Sequence, residues 1–457
     1  MKYFFIGIGG IGMSGLAEYL AAKGHYVCGS DSTRTMITER LERMGIIVFY
    51  GHSESNVPDD TDIVVYTSAV KSDNPELIKA KELNIEFIKR AEMLGRIVND
   101  KYLIAVSGTH GKTSTTAMIA KVLIEDGLDP TVFVGGSVDF LEGGASRTGK
   151  GKIAVVEADE YDRSFLTLKP DIIVITNLEK DHSDIYKNIE ELKMTFKEFI
   201  NLRKESSKVI AFGDDDNVRS ILADMSPNEV IYYGLENANQ YQAVDISEEI
   251  HSTEYNQFTG NKSIGKIEIS VKGKHNVLNS LAAALASGFS GVTMQSFKKS
   301  IKKFKGVSRR LELKYKNGLE VYDDYAHHPT EVKASFDAIR STTPGRIITV
   351  FQPHLYSRTA EFFKDFAESL KDNDIVMLLE IYPAREEKIE GVTSEMIFNE
   401  FKKISQNEII LVHNPEILNS QLYAVSTKGD TIIFQGAGNV TEDRKSTRLN
   451  SSHGKLS

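Results

Sequence analysis

Apolar positions along the chain fall into short runs rich in β-branched and aromatic residues, separated by longer stretches where apolar residues recur every three or four positions. Over the first hundred residues, the runs Tyr3 to Ile8, Ile46 to Tyr50 and Asp62 to Thr67 alternate with helical stretches such as Leu16 to Lys23 and Ile37 to Met44. That alternation predicts a parallel α/β sheet. The pattern restarts at Tyr102 with YLIAVSGTHGKTSTTAMIAKVL, where a buried strand feeds a phosphate-type loop and then a helix. It continues through the strands KIAVVEAD and DIIVITNL. A polar stretch from about 236 to 266 predicts a small antiparallel excursion or a long loop, and a helix over Asn276 to Ser287 closes the segment. A third segment begins near Gly306, with strands at Leu319 to Tyr322, Ile347 to Phe351, Asp374 to Leu379, Glu408 to Val412 and Thr431 to Phe434. No repeat of solenoid period is present.

The predicted fold is therefore α/β in three domains. A Rossmann-like parallel sheet occupies 1–100, a central P-loop-type mononucleotide-binding domain 101–305, and a C-terminal Rossmann-like domain 306–443. Residues 444–457 carry Arg444, Lys445, Arg448 and Lys455 with no acid, and read as an unstructured tail foreign to the fold. They stand where a packed helix is expected.

Composition narrows the function classes. The 457 residues are 41% hydrophobic and 26% charged, which places the chain among ordinary globular proteins. Lys and Arg total 55 against 64 Asp and Glu, a net charge of -9, so no general attraction to nucleic acid or anionic membrane is expected. Cys28 is the only cysteine, which excludes an intrachain disulfide and fits a reducing cytoplasm. No apolar run approaches the roughly 18 residues of a membrane-spanning helix. The glycines at 7, 9, 10, 12 and 15 speak against a signal peptide and for a turn over a phosphate.

The sharpest chemical signal is Gly108-Thr109-His110-Gly111-Lys112-Thr113-Ser114 between a strand and a helix. Backbone N–H groups in such a loop cradle phosphate oxygens, the lysine reaches the β and γ phosphates, and a threonine hydroxyl can ligate Mg²⁺. Mononucleotide binding, with ATP as the nucleotide, follows. Glu157, Asp159, Glu160 and Asp162 end the strand KIAVVEAD, and Glu179-Lys180-Asp181-His182 ends the next; a carboxylate there can complete a Mg²⁺ site opened by Thr113. Gly7-Ile8-Gly9-Gly10-Ile11-Gly12, with Asp31 following at ribose-binding distance, is a second, diphosphate-type loop. Two loops of different kind predict two nucleotides bound at once. Asn276 and Asn279 lie one turn apart, and helix capping alone would account for Asn276. Arg309-Arg310 stand at the second domain boundary. The polar loops Asp323-Asp324-Tyr325-Ala326-His327-His328 and Gln352-Pro353-His354-Leu355-Tyr356-Ser357-Arg358 follow strands of the third segment, with cations suited to a carboxylate. The paired histidines lack the second cluster that a zinc site needs.

The set GIGGIGMSG, GTHGKTST, VVEADEYD, TNLEKDH, GKHNVLN, FKGVSRRLE, DDYAHHPTE, QPHLYSRT and EIYPAREE closely resembles the bacterial Mur ligases, in order, from residue 1 to about 440. GTHGKT is common to the superfamily, whereas DDYAHHPTE, QPHLYSRT and EIYPAREE resemble the alanine-adding branch and the murein tripeptide recycling branch. The resemblance implies an ATP-dependent amide ligase of cytoplasmic peptidoglycan synthesis that joins L-alanine to the lactyl carboxylate of UDP-N-acetylmuramate through an acyl phosphate. It implies that Lys112 stabilises the transferring phosphoryl group, that Thr113 and Glu157 hold one Mg²⁺, and that His182 helps hold a second. Asn276 and Asn279 would touch adenine, with Arg310 and Asp324 meeting the nucleotide from the hinge side; His327, His354 and Arg358 would face the acyl phosphate and alanine. Gly7, Gly9, Gly10, Gly12, Asp31 and Ser68 would bind the UDP-sugar. Lys197, which follows His182 at a plausible distance, is not assigned the carbamylated role that several Mur ligases give a lysine. A monomer or homodimer, hinged near 304 to 310, is expected. The rival readings are a recycling ligase, an NAD-dependent dehydrogenase built on GIGGIG, and a P-loop ATPase.

Overall fold

A computed structural model describes residues 1–181, 185–250, 252–384 and 386–438. His182 and the segment 444–457 lie outside the described residues. Three sheets organise the chain. The first has five parallel strands, β1 (Lys2–Ile6), β2 (Tyr26–Asp31), β3 (Ile47–Tyr50), β4 (Ile63–Tyr66) and β5 (Glu86–Lys89), in the order β3-β2-β1-β4-β5. The run expected to extend to Ile8 stops at Ile6, because Gly7 turns the chain with φ +81° and passes it to the helix Ile11–Ala22.

The second sheet has ten strands. They are β6 (Tyr102–Ser107), β7 (Thr131–Phe133), β8 (Ser146–Arg147), β9 (Ile153–Glu157), β10 (Ile172–Ile175), β11 (Lys208–Phe212), β12 (Val230–Gly234), β13 (Tyr241–Glu248), β14 (Thr253–Thr259) and β15 (Lys262–Ile269). Their order is β15-β14-β13-β12-β11-β10-β6-β9-β7-β8, with β6 flanked by β10 and β9, all parallel. The polar stretch near 236 to 266 forms strands rather than a long loop: β13 to β15 extend one edge of the sheet, and β13 joins β12 in parallel, not as part of a wholly antiparallel excursion.

The third sheet runs β16-β17-β21-β18-β19-β20, built from β16 (Glu312–Lys316), β17 (Glu320–Asp324), β18 (Ile347–Phe351), β19 (Ile375–Leu379), β20 (Glu408–Val412) and β21 (Thr431–Gln435). It is parallel except for the edge strand β16. The strand β16 is an addition to the expected pattern: Glu312-Leu313-Lys314-Tyr315-Lys316 alternates polar and apolar, but it is short and mostly exposed, and with the Asn317-Gly318 turn behind it, Gly318 at φ +74°, that alternation is the hairpin signal.

The chain forms two compact units, Met1–Asp245 with Tyr255–Ile269 and Val277–Val307, and Ile246–Glu254 with Ser270–Asn276 and the residues from Ser308 on. The first two sheets share one unit. A continuous apolar core runs from Tyr3 and Phe5 through Phe133 and Phe165 to Val209. A polar clasp joins them: Arg40 Nε donates to Glu18 Oε1 at 2.9 Å, Arg40 Nη1 to the Gly143 carbonyl at 2.6 Å, and Ser146 Oγ to Glu18 Oε2 at 3.0 Å.

No helix among the described residues is long and apolar enough to cross a membrane. Cys28 is buried in β2 and its thiol is pushed up to about 11 by burial. Since the thiolate is the nucleophile, iodoacetamide is expected to leave native Cys28 unmodified at pH 7.5 and to label it once denaturant is added. Rapid labelling of the native protein, read by mass spectrometry, would contradict this packing.

Candidate active site

The phosphate-type loop lies at the carboxyl end of β6, where a ligand of a parallel sheet is held. Gly108 at φ +131° and Gly111 at φ +82° bend it into the helix Lys112–Glu125. The turn after β10 braces it from one side. Asn177 Oδ1 accepts from the His110 N–H at 2.8 Å, the Thr109 N–H donates to the Asn177 carbonyl at 3.1 Å, and Thr176 Oγ1 donates to the His110 carbonyl at 2.6 Å. Thr176 and Asn177 were not among the expected site residues; their place directly after a buried strand was the signal.

Glu157, the last residue of β9, and Glu160 just beyond it brace the other side. Lys112 Nζ donates to Glu160 Oε1 and Oε2, each at 2.8 Å, and to the Gly108 and Thr109 carbonyls at 2.6 and 3.2 Å. Burial alone would lower the ammonium, but Glu160, Asp159 and Glu157 hold it above its ordinary range, so it stays charged. Thr113 Oγ1 donates to Glu157 Oε1 at 2.9 Å, and the Gly135 N–H to Glu157 Oε2 at 2.6 Å. Burial pushes the Glu157 carboxyl up, with Lys112 pulling against it. Two hard oxygen donors, a hydroxyl and a carboxylate, thus lie beside a buried lysine, a set that would suit Mg²⁺. Ser114 sits partly exposed in the first helical turn. Asn279 Oδ1 accepts from Thr115 Oγ1 at 3.1 Å, within the same unit, and stands where a Cβ on Gly111 would come within 2.7 Å. Lys197 pairs instead with Asp224 on an exposed face.

The glycine loop follows β1. The N–H groups of Gly7 and Ile8 donate to the Ser30 carbonyl, and Gly9 N–H donates to Asp31 Oδ2 at 2.8 Å. A side chain at Gly9 would meet that carboxylate, and one at Gly12 would meet Arg90. Asp31 therefore shapes the loop directly. Gly10 N–H donates back to the Gly7 carbonyl, and Ser68 is exposed in the turn after β4, the neighbour of β1.

In the second unit, Asn276 is not a cap. The helix Lys274–Phe289 begins two residues earlier, and Asn276 Nδ2 donates to the Lys272 carbonyl at 2.7 Å. Arg309 and Arg310 flank Tyr325, their guanidinium carbons 5.0 and 5.1 Å from its ring centre, and Arg310 Nη1 lies 3.5 Å from Glu331. Asp324 is buried, its Oδ1 accepting from the Leu311 N–H at 3.1 Å while Oδ2 has no hydrogen-bond partner; burial pushes its carboxyl up. The loops after β17 and β18 converge. The His327 and His354 rings lie 5.9 Å apart, Arg358 Nη1 is 3.3 Å from His354 Nδ1, and His354 stacks on Tyr382. Leu355, at φ +69°, is a strained residue that turns the chain into the helix bearing Arg358. His328 points elsewhere, capping the helix Pro329–Arg340 and packing on Phe362, so the two adjacent histidines take separate places.

Burial pushes the His275 imidazole down to about 4. Its folded value thus lies below that of the unfolded chain, roughly 6.5. Stability is fully present above about pH 6.5 and is lost as the pH falls toward 4, because only the unfolded chain takes up the proton. Equilibrium unfolding is expected to show about 1–2 kcal/mol less stability from this group at pH 5 than at pH 7, and His275→Gln to remove that part of the slope. An unchanged slope in the variant would rule out the group.

Three family models match in sequence order: "Mur ligase family, catalytic domain" over residues 2–102, "Mur ligase middle domain" over 106–287, and "Mur ligase, glutamate ligase domain" over 309–438. The chain is 42% identical over 442 residues to the UDP-N-acetylmuramate–L-alanine ligase of Geotalea daltonii, with 96% of each chain covered. It is 44% identical over 442 residues to the enzyme of the same name from Acetivibrio thermocellus, covering 95% of this chain and 93% of the relative. Among solved structures, UDP-N-acetylmuramate–alanine ligase from Thermotoga maritima superposes with a TM-score of 0.81 at 29% identity, over 96% of both chains. Its three α/β segments, its two glycine loops and these matches over nearly the whole length agree, and the chain belongs to the Mur ligase family.

Proposed function

We propose that the protein is an ATP-dependent ligase that joins L-alanine to the lactyl carboxylate of UDP-N-acetylmuramate, the first peptide-adding step of peptidoglycan precursor synthesis. The observation that carries this reading is the retained, buried Lys112 beside the Thr113–Glu157 pair at the end of β6, in a chain over 40% identical along its length to relatives bearing that name. The sugar-nucleotide carboxylate attacks the γ-phosphorus of ATP, the bond to the bridging oxygen breaks, and ADP leaves. The alanine amine then adds to the acyl phosphate carbonyl, and phosphate departs as the amide forms and the amine loses its proton.

Charge at the transferring phosphoryl group is the main thing to stabilise, so cations rather than an acid–base pair do most of the work. Lys112 exchanges its Glu160 and carbonyl partners for phosphate oxygens. Thr113 and Glu157 would hold Mg²⁺, which neutralises phosphate charge, with His182 contributing to a second ion. In this reading the lone Asp324 Oδ2 accepts from a nucleotide hydroxyl with Arg310 nearby, and Asn276 and Asn279 meet adenine. His327, His354 and Arg358 serve the acyl phosphate and the carboxylate of alanine. Gly7, Gly9, Gly10, Gly12, Asp31 and Ser68 receive the UDP-sugar. The domains divide near residues 100 and 305, and the enzyme works in the cytoplasm as a monomer or homodimer.

Phosphate release with ATP, Mg²⁺ and UDP-N-acetylmuramate tests the assignment, with L-alanine, the tripeptide L-Ala-D-Glu-diaminopimelate, or no amine. Release that depends on L-alanine is expected. Preference for the tripeptide would move the protein to recycling, and release without amine would make it an ATPase.

A further inference from the structure

The glycine loop after β1 lies where the first sheet changes direction: β2 and β3 extend from one side of β1, β4 and β5 from the other. A ligand of a parallel sheet sits in the crevice at such a point, beyond the carboxyl ends of the strands. On the β2 side the loop meets a carboxylate, Asp31, which accepts from the Gly9 N–H at 2.8 Å. On the other side a cation approaches. Arg90 follows β5 directly and opens the helix Arg90–Val98. Its side chain reaches the loop, so that a Cβ built on Gly12 would lie 3.1 Å from Arg90 Cδ and 3.2 Å from its Nη1. The guanidinium is thus held beside the first turn of the helix Ile11–Ala22, where the Ile11 and Gly12 N–H groups have no acceptor among the described residues. Arg90 is half-buried, and among the described residues it makes no hydrogen bond, ion pair or ring contact. Its neighbours do: Lys89 Nζ pairs with Asp162 at 3.1 Å and Arg96 with Glu86 at 2.6 Å. A guanidinium partly withdrawn from water without an anion is less stable than one that is paired.

We propose that Arg90 binds the diphosphate of the sugar nucleotide, its planar fork of N–H donors matching phosphate oxygens while the Ile11 and Gly12 N–H groups meet the same anion. This rests on the reading of the glycine loop as the sugar-nucleotide site. It supplies the countercharge that the loop lacks by itself, since the side chain bonded to the loop, Asp31, is an acid. It also gives Gly12 a role, because a side chain there would push the guanidinium away from the helix end. The alternative is that Arg90 is only a spacer whose carbon stem packs over Gly12. A methionine would serve that purpose as well, because its unbranched stem covers the same surface without charge.

Calorimetric titration of the full chain with UDP-N-acetylmuramate separates the two, with ADP as the control ligand for the other loop. Arg90→Met is expected to fold with an undiminished melting temperature, to bind UDP-N-acetylmuramate at least about tenfold more weakly, and to bind ADP as the wild type does. Arg90→Lys should fall between, since it keeps the charge and loses the fork. Steady-state turnover should show the same division, with KM for the sugar nucleotide raised and KM for ATP unchanged. Binding of UDP-N-acetylmuramate by Arg90→Met within about twofold of the wild type, or an equal loss for ADP, would overturn the assignment. Failure of the wild type itself to bind UDP-N-acetylmuramate would overturn the reading of the glycine loop, and the role of Arg90 with it.

Discussion

Lys112→Met is expected to lower the rate of phosphoryl transfer by about 10³-fold while nucleotide still binds, since removing one preorganised donor to a developing charge costs about 10²–10³ and this donor carries a full charge. The ammonium sits at the loop's centre with four contacts to loop and Glu160 oxygens. The same substitution has a second consequence. Glu160 is only 1% exposed, and without Lys112 its buried carboxylate loses the ammonium that pairs with it, which costs about 3–5 kcal/mol of stability. The double variant Lys112→Met/Glu160→Gln should recover most of the melting temperature and none of the activity. Single-turnover phosphate release together with thermal unfolding separates the effects. Should the single variant retain a tenth of the wild-type rate, the lysine is not the phosphoryl-stabilising group.

Gly108→Ala is expected to remove nucleotide binding altogether. At φ +131° the residue occupies backbone space open to glycine alone, and an added Cβ would lie 2.1 Å from Thr176 Oγ1 and 2.9 Å from the Asn177 carbonyl oxygen. One clash is with the Asn177 backbone rather than a movable side chain, so the loop must shift. Together, strain and displacement should cost about 3 kcal/mol or more and release the Asn177–His110 brace. Titration with a fluorescent ATP analogue and a melting curve would check both. Wild-type affinity in Gly108→Ala would mean that the loop does not hold phosphate in this conformation. The two variants divide the loop's work: Lys112 acts on the reacting group, Gly108 shapes the cradle.

Much of the site was legible along the chain because its parts are local. A glycine-rich turn between a strand and a helix carries its geometry in a dozen residues, as does the glycine loop after β1. The strand-end acids Glu157 and Glu160 were legible as candidates for the same reason. Their division of labour was not, since Glu160 pairs with Lys112 and Glu157 with Thr113 only once β9 lies beside β6. Capping was one of two readings open for Asn276, and it falls because the helix starts earlier than its polar neighbours imply, at Lys274.

By itself the sequence determined the three successive α/β segments, where the two phosphate-type loops lie, and that the loops carrying His327, His354 and Arg358 each follow a strand. Those features depend on side-chain periodicity and on backbone freedom at glycine, which act over a few residues. Tertiary structure alone decided the sheet order that sets β9 and β10 on either side of β6, the core shared by the first two sheets, and the Arg40–Glu18–Ser146 clasp. Each of these joins residues many positions apart, such as Arg40 and Gly143, and chain pattern does not encode which distant surfaces bury one another.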